Sequence, residues 1–156
     1  MKKNLFRITL GALALAVTAG AQAQVTAEDM VKFRQSGYTF MNWNMGKIKA
    51  MAVDGAQPYN QEQIVAAANV IAAIANSGMG ALYSPDTLNA TGWKPTRLKA
   101  NFFEEPEKVR EVAVNFIQQA NKMQEVAVNG DQQAVAAQFN QLVESCRGCH
   151  QNFRGD

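Results

Sequence analysis

Cys146-Arg147-Gly148-Cys149-His150 is the stretch around which the rest of this sequence is organised. Two cysteines three positions apart, followed directly by a histidine, form the attachment signature of c-type haem. On a helix the two thiols lie about one turn apart on one face, so both can reach the vinyl groups of one porphyrin. The histidine can then turn its imidazole towards the iron. The stretch therefore predicts one covalently bound haem c, anchored by Cys146 and Cys149, with His150 as the axial iron ligand.

Zinc binding, dithiol redox chemistry and a structural disulfide are weaker interpretations of this stretch. A structural zinc site needs a second pair of ligands, and the chain holds only two cysteines and one histidine. A dithiol redox motif belongs at a strand-to-helix junction, and no segment here has the periodicity of a strand. A structural disulfide between cysteines this close on a helix would close a small, strained loop. Haem attachment is the preferred interpretation.

The N-terminal segment has the pattern of a secretory signal peptide. Lys2, Lys3 and Arg7 give a basic start, residues 10–19 are apolar and rich in small side chains, and Ala21-Gln22-Ala23 fits an A-x-A cleavage site. The apolar run is too short and too rich in alanine to hold a bilayer span. We therefore predict a cleaved signal over residues 1–23, one domain over residues 24–156, and export to the periplasm, where covalent haem attachment would be completed.

Cleavage changes the charge balance of the chain. The full sequence has 15 basic and 13 acidic residues, and removing the three basic residues of the signal leaves a formal charge of −1. No basic stripe suggests a nucleic acid as partner, and a polybasic patch for a membrane surface is also missing.

Four segments with apolar residues at three-to-four spacing predict four helices. Their predicted bounds are Thr26 to Asp54-Gly55, Asn60 to around Gly78 and Gly80, Pro106 to Asn129-Gly130, and from the cap Asp131 through the attachment stretch. Short turns after the first and third predict an all-α fold, an antiparallel four-helix bundle with covalently bound haem near one end. The connection over residues 83–105 lacks periodicity, and its length favours a wall of the cofactor pocket.

The inner stripes of the first and last helices carry the residues of interest. On the first helix, a charged Arg34 falls on an otherwise apolar stripe, which is costly unless another group pairs with it. On the last helix, both cysteines fall on the stripe of core residues. The predicted stripe of the first helix is Val31, Arg34, Tyr38, Met41, Met45, Ile48 and Ala52.

Taken together, these features closely resemble cytochrome c′, over essentially the whole mature chain. The attachment stretch lies on the last helix, and only residues 151–156 follow it, so no downstream methionine can serve as second axial ligand. The most specific matches are this stretch with Arg154 one turn beyond it, and Arg34-Gln35-Ser36-Gly37-Tyr38 on the first helix.

The resemblance implies a set of haem contacts. Cys146 and Cys149 would form the thioethers. Arg34 and Gln35 would contact the propionate edge, which would give the buried arginine its counter-charge. Thr91, in the long connection, would be a further polar contact.

The resemblance also implies roles on the two faces of the iron. Arg154 would lie over the proximal imidazole of His150, where its charge disfavours imidazolium and tunes the iron. Tyr38 would cover the open distal face as a gate, although a tyrosine on a helical stripe is usually ordinary core. For Phe102 and Phe116, ordinary core is the better interpretation than pocket wall. The implied protein has five-coordinate, high-spin iron and serves in electron transfer, in binding of nitric oxide and carbon monoxide, or in both.

An alternative is a low-spin, six-coordinate bundle cytochrome that acts purely as an electron carrier. Its sixth ligand would be a methionine of the first helix, and the candidates are Met30 and Met41; methionine on such stripes is ordinarily gap-filling core. An enzyme is not expected, because peroxide cleavage needs a distal acid–base pair that usually includes a second histidine.

The sequence also predicts a homodimer packed through the first two helices. The second helix is rich in alanine, and Trp43 and Met45 lie nearby on the first, which is more apolar surface than one core can use. The alanines are Ala66, Ala68, Ala72, Ala73 and Ala75. The chain does not indicate which redox partner it meets.

Overall fold

The computed structural model describes residues 25–155, so the predicted signal over residues 1–23 lies outside the described part. Within it the chain forms four long helices and no strand, which confirms the predicted all-α four-helix bundle. The helices are α1 Ala27–Ile48, α2 Gln61–Ala75, α3 Pro106–Asn129 and α4 Gln132–Phe153. None of the helices in this range is both long and apolar enough to cross a membrane.

All four helix starts lie where the capping residues predicted them. Three starts have a side-chain oxygen that accepts a backbone N–H three residues on, which satisfies one of the free donors of the first turn. These caps are Thr26 with Asp29 at 3.1 Å, Asn60 with Gln63 at 3.0 Å, and Asp131 with Ala134 at 2.8 Å. The fourth start is Pro106, the first residue of α3.

The helix ends agree less closely with the sequence. A π-helical turn over Lys49–Val53 prolongs α1 to the predicted stop, where Gly55 has a φ of +63°. Helix α2 ends at Ala75, at least about one turn before the predicted stop around Gly78 and Gly80. The Asn76 and Ser77 side chains donate to carbonyls of the last turn at 2.7 Å each, and thereby end the helix early.

The buried apolar cluster fills only one end of the bundle. It extends no further than Met41 on α1, Ala120 on α3 and Leu142 on α4. At the other end lie the first half of α3 and both thiols of α4, with Arg34 of α1, and no buried apolar cluster joins these segments. This is the end at which the sequence predicts the cofactor.

Burial corrects three details of the predicted stripes. Tyr38 and Met45 are not fully buried; the inner side of α1 carries Asn44 instead, which donates to the Phe40 carbonyl at 2.9 Å. Both thiols of α4 are half-buried. In α2, Ala68 and Ala72 belong to the core, so the alanine-rich face is not a free surface as a whole. Small side chains are needed there for close helix packing.

Candidate haem site

Cys146 and Cys149 lie near the C-terminal end of α4 as free, half-buried thiols. Burial raises the pKa of both thiols, and the neighbouring Cys146 adds to the rise at Cys149. A catalytic dithiol instead needs a thiol with a lowered pKa. Within residues 25–155 no group of three or more His, Cys, Asp or Glu side chains could hold a metal ion, so the zinc and redox alternatives have no support in the described structure.

His150 follows the second thiol and is exposed. It opens onto a cavity of about 280 Å³ that Arg97, Arg154 and Gly155 also line. Arg154 Nη1 lies 3.4 Å from His150 Nδ1. Partial desolvation lowers the pKa of His150, and the Arg97 cation lowers it further. The neutral imidazole is the form that binds a metal, and the Arg97 cation favours this form; the role of Arg154 over the imidazole stays a prediction.

Arg34 is a buried cation, only 5% exposed, and no carboxylate of residues 25–155 lies within ion-pairing distance of it. Its Nη1 donates to Thr87 Oγ1 at 3.3 Å, and its guanidinium carbon lies 4.2 Å from the centre of the Tyr83 ring. Desolvation lowers its pKa. A buried charge of this kind calls for an anionic partner, and the propionates of a haem would supply one.

Gln35 and Thr91, the other two predicted propionate contacts, are engaged elsewhere. The Gln35 amide donates to the Lys94 carbonyl at 2.8 Å and accepts from the backbone N–H groups of Trp93 and Lys94 at 2.7 and 3.2 Å. Thr91 is exposed and pairs with Pro95 in an isolated antiparallel bridge. The threonine that contacts Arg34 is Thr87, and for Gln35 and Thr91 the propionate contact stays a prediction.

Tyr38 lies next to a second tyrosine that sequence reasoning missed. The hydroxyls of Tyr38 and Tyr83 are 3.0 Å apart. Although Tyr38 as a residue is 43% exposed, desolvation at its hydroxyl and the adjacent Tyr83 raise its pKa, so the phenol stays neutral. Cys149 also influences the pKa of both tyrosines, which places the pair at the cysteine end of the bundle.

Tyr83 is itself held by aromatic contacts. Its ring stacks on Phe102 with centroids 4.7 Å apart, and Phe102 meets Phe153 of α4 edge-on at 5.6 Å. Such pairs contribute about 0.5–1.5 kcal/mol each beyond their buried area. The connection between α2 and α3 therefore forms one wall of this end of the bundle, with Phe102 in it.

These residues fit a covalently bound haem. The end of the bundle outside the apolar cluster carries two thiols one turn apart and an exposed, neutral imidazole directly after them. It also carries a buried arginine that has no carboxylate partner within residues 25–155. Phenol and phenyl rings complete the surroundings. A porphyrin needs such a donor set: two thioether anchors, an axial nitrogen and a cation for its propionates.

Known proteins resemble the chain over nearly its whole length. The sequence model of the family described as Cytochrome C' matches residues 29–154. The cytochrome c' of Rhodocyclus tenuis is 48% identical over 128 residues, 82% of this chain and 95% of that protein. The cytochrome c' of Allochromatium vinosum is 45% identical over 155 residues, 99% of each chain.

Solved structures agree with the fold. The crystal structure of cytochrome c' from Thermochromatium tepidum has a TM-score of 0.78 at 44% identity and covers 86% of this chain and 100% of that one. A cytochrome c' with a ligand-controlled dimer dissociation has a TM-score of 0.80 at 46% identity, with the same coverage. The chain is therefore a member of the cytochrome c′ family and binds haem c covalently.

Proposed function

We propose that this protein is a periplasmic haem protein whose iron has His150 as its one protein ligand and an open distal side behind Tyr38. The observation that carries this proposal is the pair of tyrosine hydroxyls, 3.0 Å apart, at the cysteine end of a chain that has no second histidine. When bound, the haem supplies an iron that exchanges one electron and takes up nitric oxide or carbon monoxide.

Different residues bind different parts of the cofactor. Cys146 and Cys149 anchor it by thioethers, and Arg34 neutralises a propionate while Thr87 fixes the guanidinium. Thr87 is fixed in turn, because its hydroxyl donates to the Ser84 carbonyl at 2.7 Å.

The methionine alternative has less support. Met41 belongs to the buried apolar cluster at the far end of the bundle, where gap-filling is its ordinary role. Met30 is half-buried in the first turns of α1 and remains the candidate for a sixth ligand. In the preferred arrangement neither methionine binds, and the iron is five-coordinate and high-spin.

Tyr38 acts as a gate that must move before a diatomic gas reaches the distal side. Tyr83 opposes this movement through the bond between the two hydroxyls, and the Phe102 ring and the Arg34 cation hold Tyr83 in place. A hydrogen bond of this kind contributes about 0.5–1.5 kcal/mol. The gate is therefore a pair of residues, one on α1 and one in the connection after α2.

We expect Tyr83→Phe to speed the association of carbon monoxide with the ferrous protein by about two- to tenfold, the factor that 0.5–1.5 kcal/mol represents. The variant keeps the ring and its stacking and loses only the hydroxyl that holds Tyr38. Flash photolysis of the carbon monoxide complex measures the rate. Tyr59→Phe is the matched control, since its buried hydroxyl has no partner within residues 25–155. Equal rates for both variants and the unaltered protein would show that Tyr83 does not hold the gate.

One-electron transfer is a second activity, favoured by the exposure of His150 beside the open cavity. The imidazole of the iron ligand is accessible from outside the bundle, so an electron has a short route to the metal. We propose no enzymatic activity, because the chain has no second histidine that could act as a distal acid–base group.

We also propose a homodimer that forms through α1 and α2. Phe33, Phe40 and Trp43 are exposed along one side of α1, and the rings of Phe40 and Trp43 stack at 5.6 Å. Ala66 and Ala73 are exposed on α2. Met45, which the sequence placed in this surface, packs against the core cluster instead. The 46%-identical relative with ligand-controlled dimer dissociation supports the assembly.

We expect Trp43→Asp to weaken the dimer at least tenfold, because the few aromatic side chains that dominate an interface each contribute about 2 kcal/mol or more, about thirtyfold in Kd. Sedimentation equilibrium of the haem-loaded protein over a range of micromolar concentrations measures the effect. Val114→Asp is the control, an exposed apolar residue on α3. A protein that is monomeric before any substitution would contradict the proposed assembly.

A further inference from the structure

We propose that Trp93, Lys94, Arg97 and Lys99 form a docking surface for an acidic redox protein that gives an electron to the haem or takes one from it. We call these four residues the Trp93 surface. The inference rests on the electron-transfer part of the proposed function. It goes beyond that part because it names where the partner binds and which charge the partner carries.

Trp93 is both exposed and fixed. It is 70% exposed, more than any other large apolar side chain of residues 25–155. Its indole N–H nevertheless donates to Ser36 Oγ at 2.9 Å, and its backbone N–H donates to Gln35 Oε1 at 2.7 Å. A large aromatic side chain that is already immobile loses little conformational entropy on binding, and tryptophan is enriched among residues that dominate interfaces.

The loop that carries Trp93 is packed directly on α1. The Gly92 N–H donates to the Lys94 carbonyl at 3.1 Å. A Cβ atom at Gly92 would lie 2.8 Å from Gln35 Oε1 and from the Lys32 backbone nitrogen, so only glycine fits without a shift. The Gln35 amide makes three hydrogen bonds to this loop. The side chain that the sequence assigned to the haem therefore fixes the Trp93 surface.

The charge of the surface indicates an acidic partner. Residues 91–100 contain Lys94, Arg97 and Lys99 and no acidic residue. All three cations are exposed, and none pairs with a carboxylate within residues 25–155. Complementary charge steers encounter and raises association rates by about 10–1000-fold at low salt.

The surface lies beside the iron ligand. Arg97 lines the cavity onto which His150 opens. The chain beyond Arg97 pairs with the end of α4, since Leu98 forms a bridge with Arg154 and the Lys99 N–H donates to the Phe153 carbonyl at 2.9 Å. A partner seated on Trp93 would therefore be close to the exposed imidazole. A second copy fits less well, because a two-fold contact centred here would bring like charges together.

An acidic plant-type [2Fe–2S] ferredoxin is a suitable probe. Stopped-flow mixing of the reduced ferredoxin with the ferric haem-loaded protein measures the rate of one-electron reduction against ionic strength, and sedimentation of the oxidised ferredoxin with the protein measures binding. The test variants are Trp93→Ala and the triple variant Lys94→Gln, Arg97→Gln, Lys99→Gln. The matched control is the triple variant Lys108→Gln, Arg110→Gln, Lys122→Gln on α3, whose cations pair with glutamates.

We expect the triple variant of the surface to lose at least tenfold in rate at low salt, together with most of the salt dependence. Trp93→Ala should weaken ferredoxin binding by about tenfold or more, and the control should match the unaltered protein. Reduction by a neutral flavin semiquinone should be the same in Trp93→Ala, in the control and in the unaltered protein, since a small neutral donor needs no docking. In the surface triple variant, where Arg97 lies beside His150, the rate with this neutral donor is the reference against which the loss with ferredoxin is measured.

Equal losses in the surface variants and the control would overturn the inference. The inference would also be overturned if Trp93→Ala converted the dimer to a monomer while its reaction with ferredoxin stayed normal. The same holds if the three cations are needed only for binding of the protein to anionic lipid vesicles. If the neutral donor does not reduce the unaltered protein reversibly, the electron-transfer role itself fails. If the neutral donor reduces the unaltered protein and the surface variants react with ferredoxin at the unaltered rate, only the proposed docking site is refuted, and the electron-transfer role stands.

Discussion

Replacing both thiols, in Cys146→Ala/Cys149→Ala, will yield a polypeptide without covalent haem and with a bundle that unfolds at a lower temperature. The sequence offers no other cysteine for a thioether. Without the haem, Arg34 keeps its buried charge but loses the propionate, and an unpaired buried charge costs about 3–5 kcal/mol. Mass spectrometry of the denatured protein and thermal unfolding followed by circular dichroism measure the two effects.

Two comparisons make this result specific. Either single cysteine variant should keep the haem through one thioether, whereas Ser145→Ala, a buried position next to Cys146, should keep both thioethers. The Ser145 hydroxyl donates to the Leu142 carbonyl at 2.7 Å and is not needed for attachment. Haem that stays covalently bound to the double variant would mean that another side chain anchors it.

The second large effect is expected for Tyr38→Ala. Moving the phenol ring aside before a gas binds costs packing of about 1–3 kcal/mol, so its removal should raise carbon monoxide affinity by roughly ten- to hundredfold. The association rate should rise with it, and the effect should exceed that of Tyr83→Phe, which loosens the ring without removing it. Titration of the ferrous protein and flash photolysis measure both quantities.

Tyr59→Ala is the control for this experiment, because Tyr59 packs against the apolar cluster at the other end of the bundle. It should change stability and leave gas binding unchanged. If Tyr38→Ala binds carbon monoxide with unaltered affinity and rate, then Tyr38 is not a gate and the distal face is guarded by another residue.

The parts of the fold that sequence predicted are those set by local interactions. Each of the three side-chain caps bonds a backbone N–H only three residues away, so Thr26, Asn60 and Asp131 could be recognised from their immediate neighbours. The attachment stretch is local in the same sense, since its chemistry needs two thiols and an imidazole within one helical turn and a half. The end of α2 differs from the prediction because the Asn76 and Ser77 side chains compete with the glycine signal that follows them.

The parts that could not be predicted depend on contacts distant in sequence. The hydroxyl pair joins residues 45 positions apart, and the bond from Arg34 to Thr87 spans 53. Both partners lie in the connection without periodicity, where no pattern shows which side chains turn inward. The inner stripe of α1 indicated that Arg34 needs a pairing group, but only the structure shows that Tyr83 and Thr87 contact it.

The measurement that tests the central claim most directly is the electronic absorption spectrum of the ferric and ferrous haem-loaded protein, with and without nitric oxide. The claim is that His150 is the one protein ligand and that the distal side stays open. It predicts high-spin, five-coordinate spectra in both oxidation states and a new ferrous spectrum as soon as nitric oxide is added. A split, low-spin ferrous spectrum that disappears in Met30→Ala or Met41→Ala would contradict it, because a methionine would then fill the distal position.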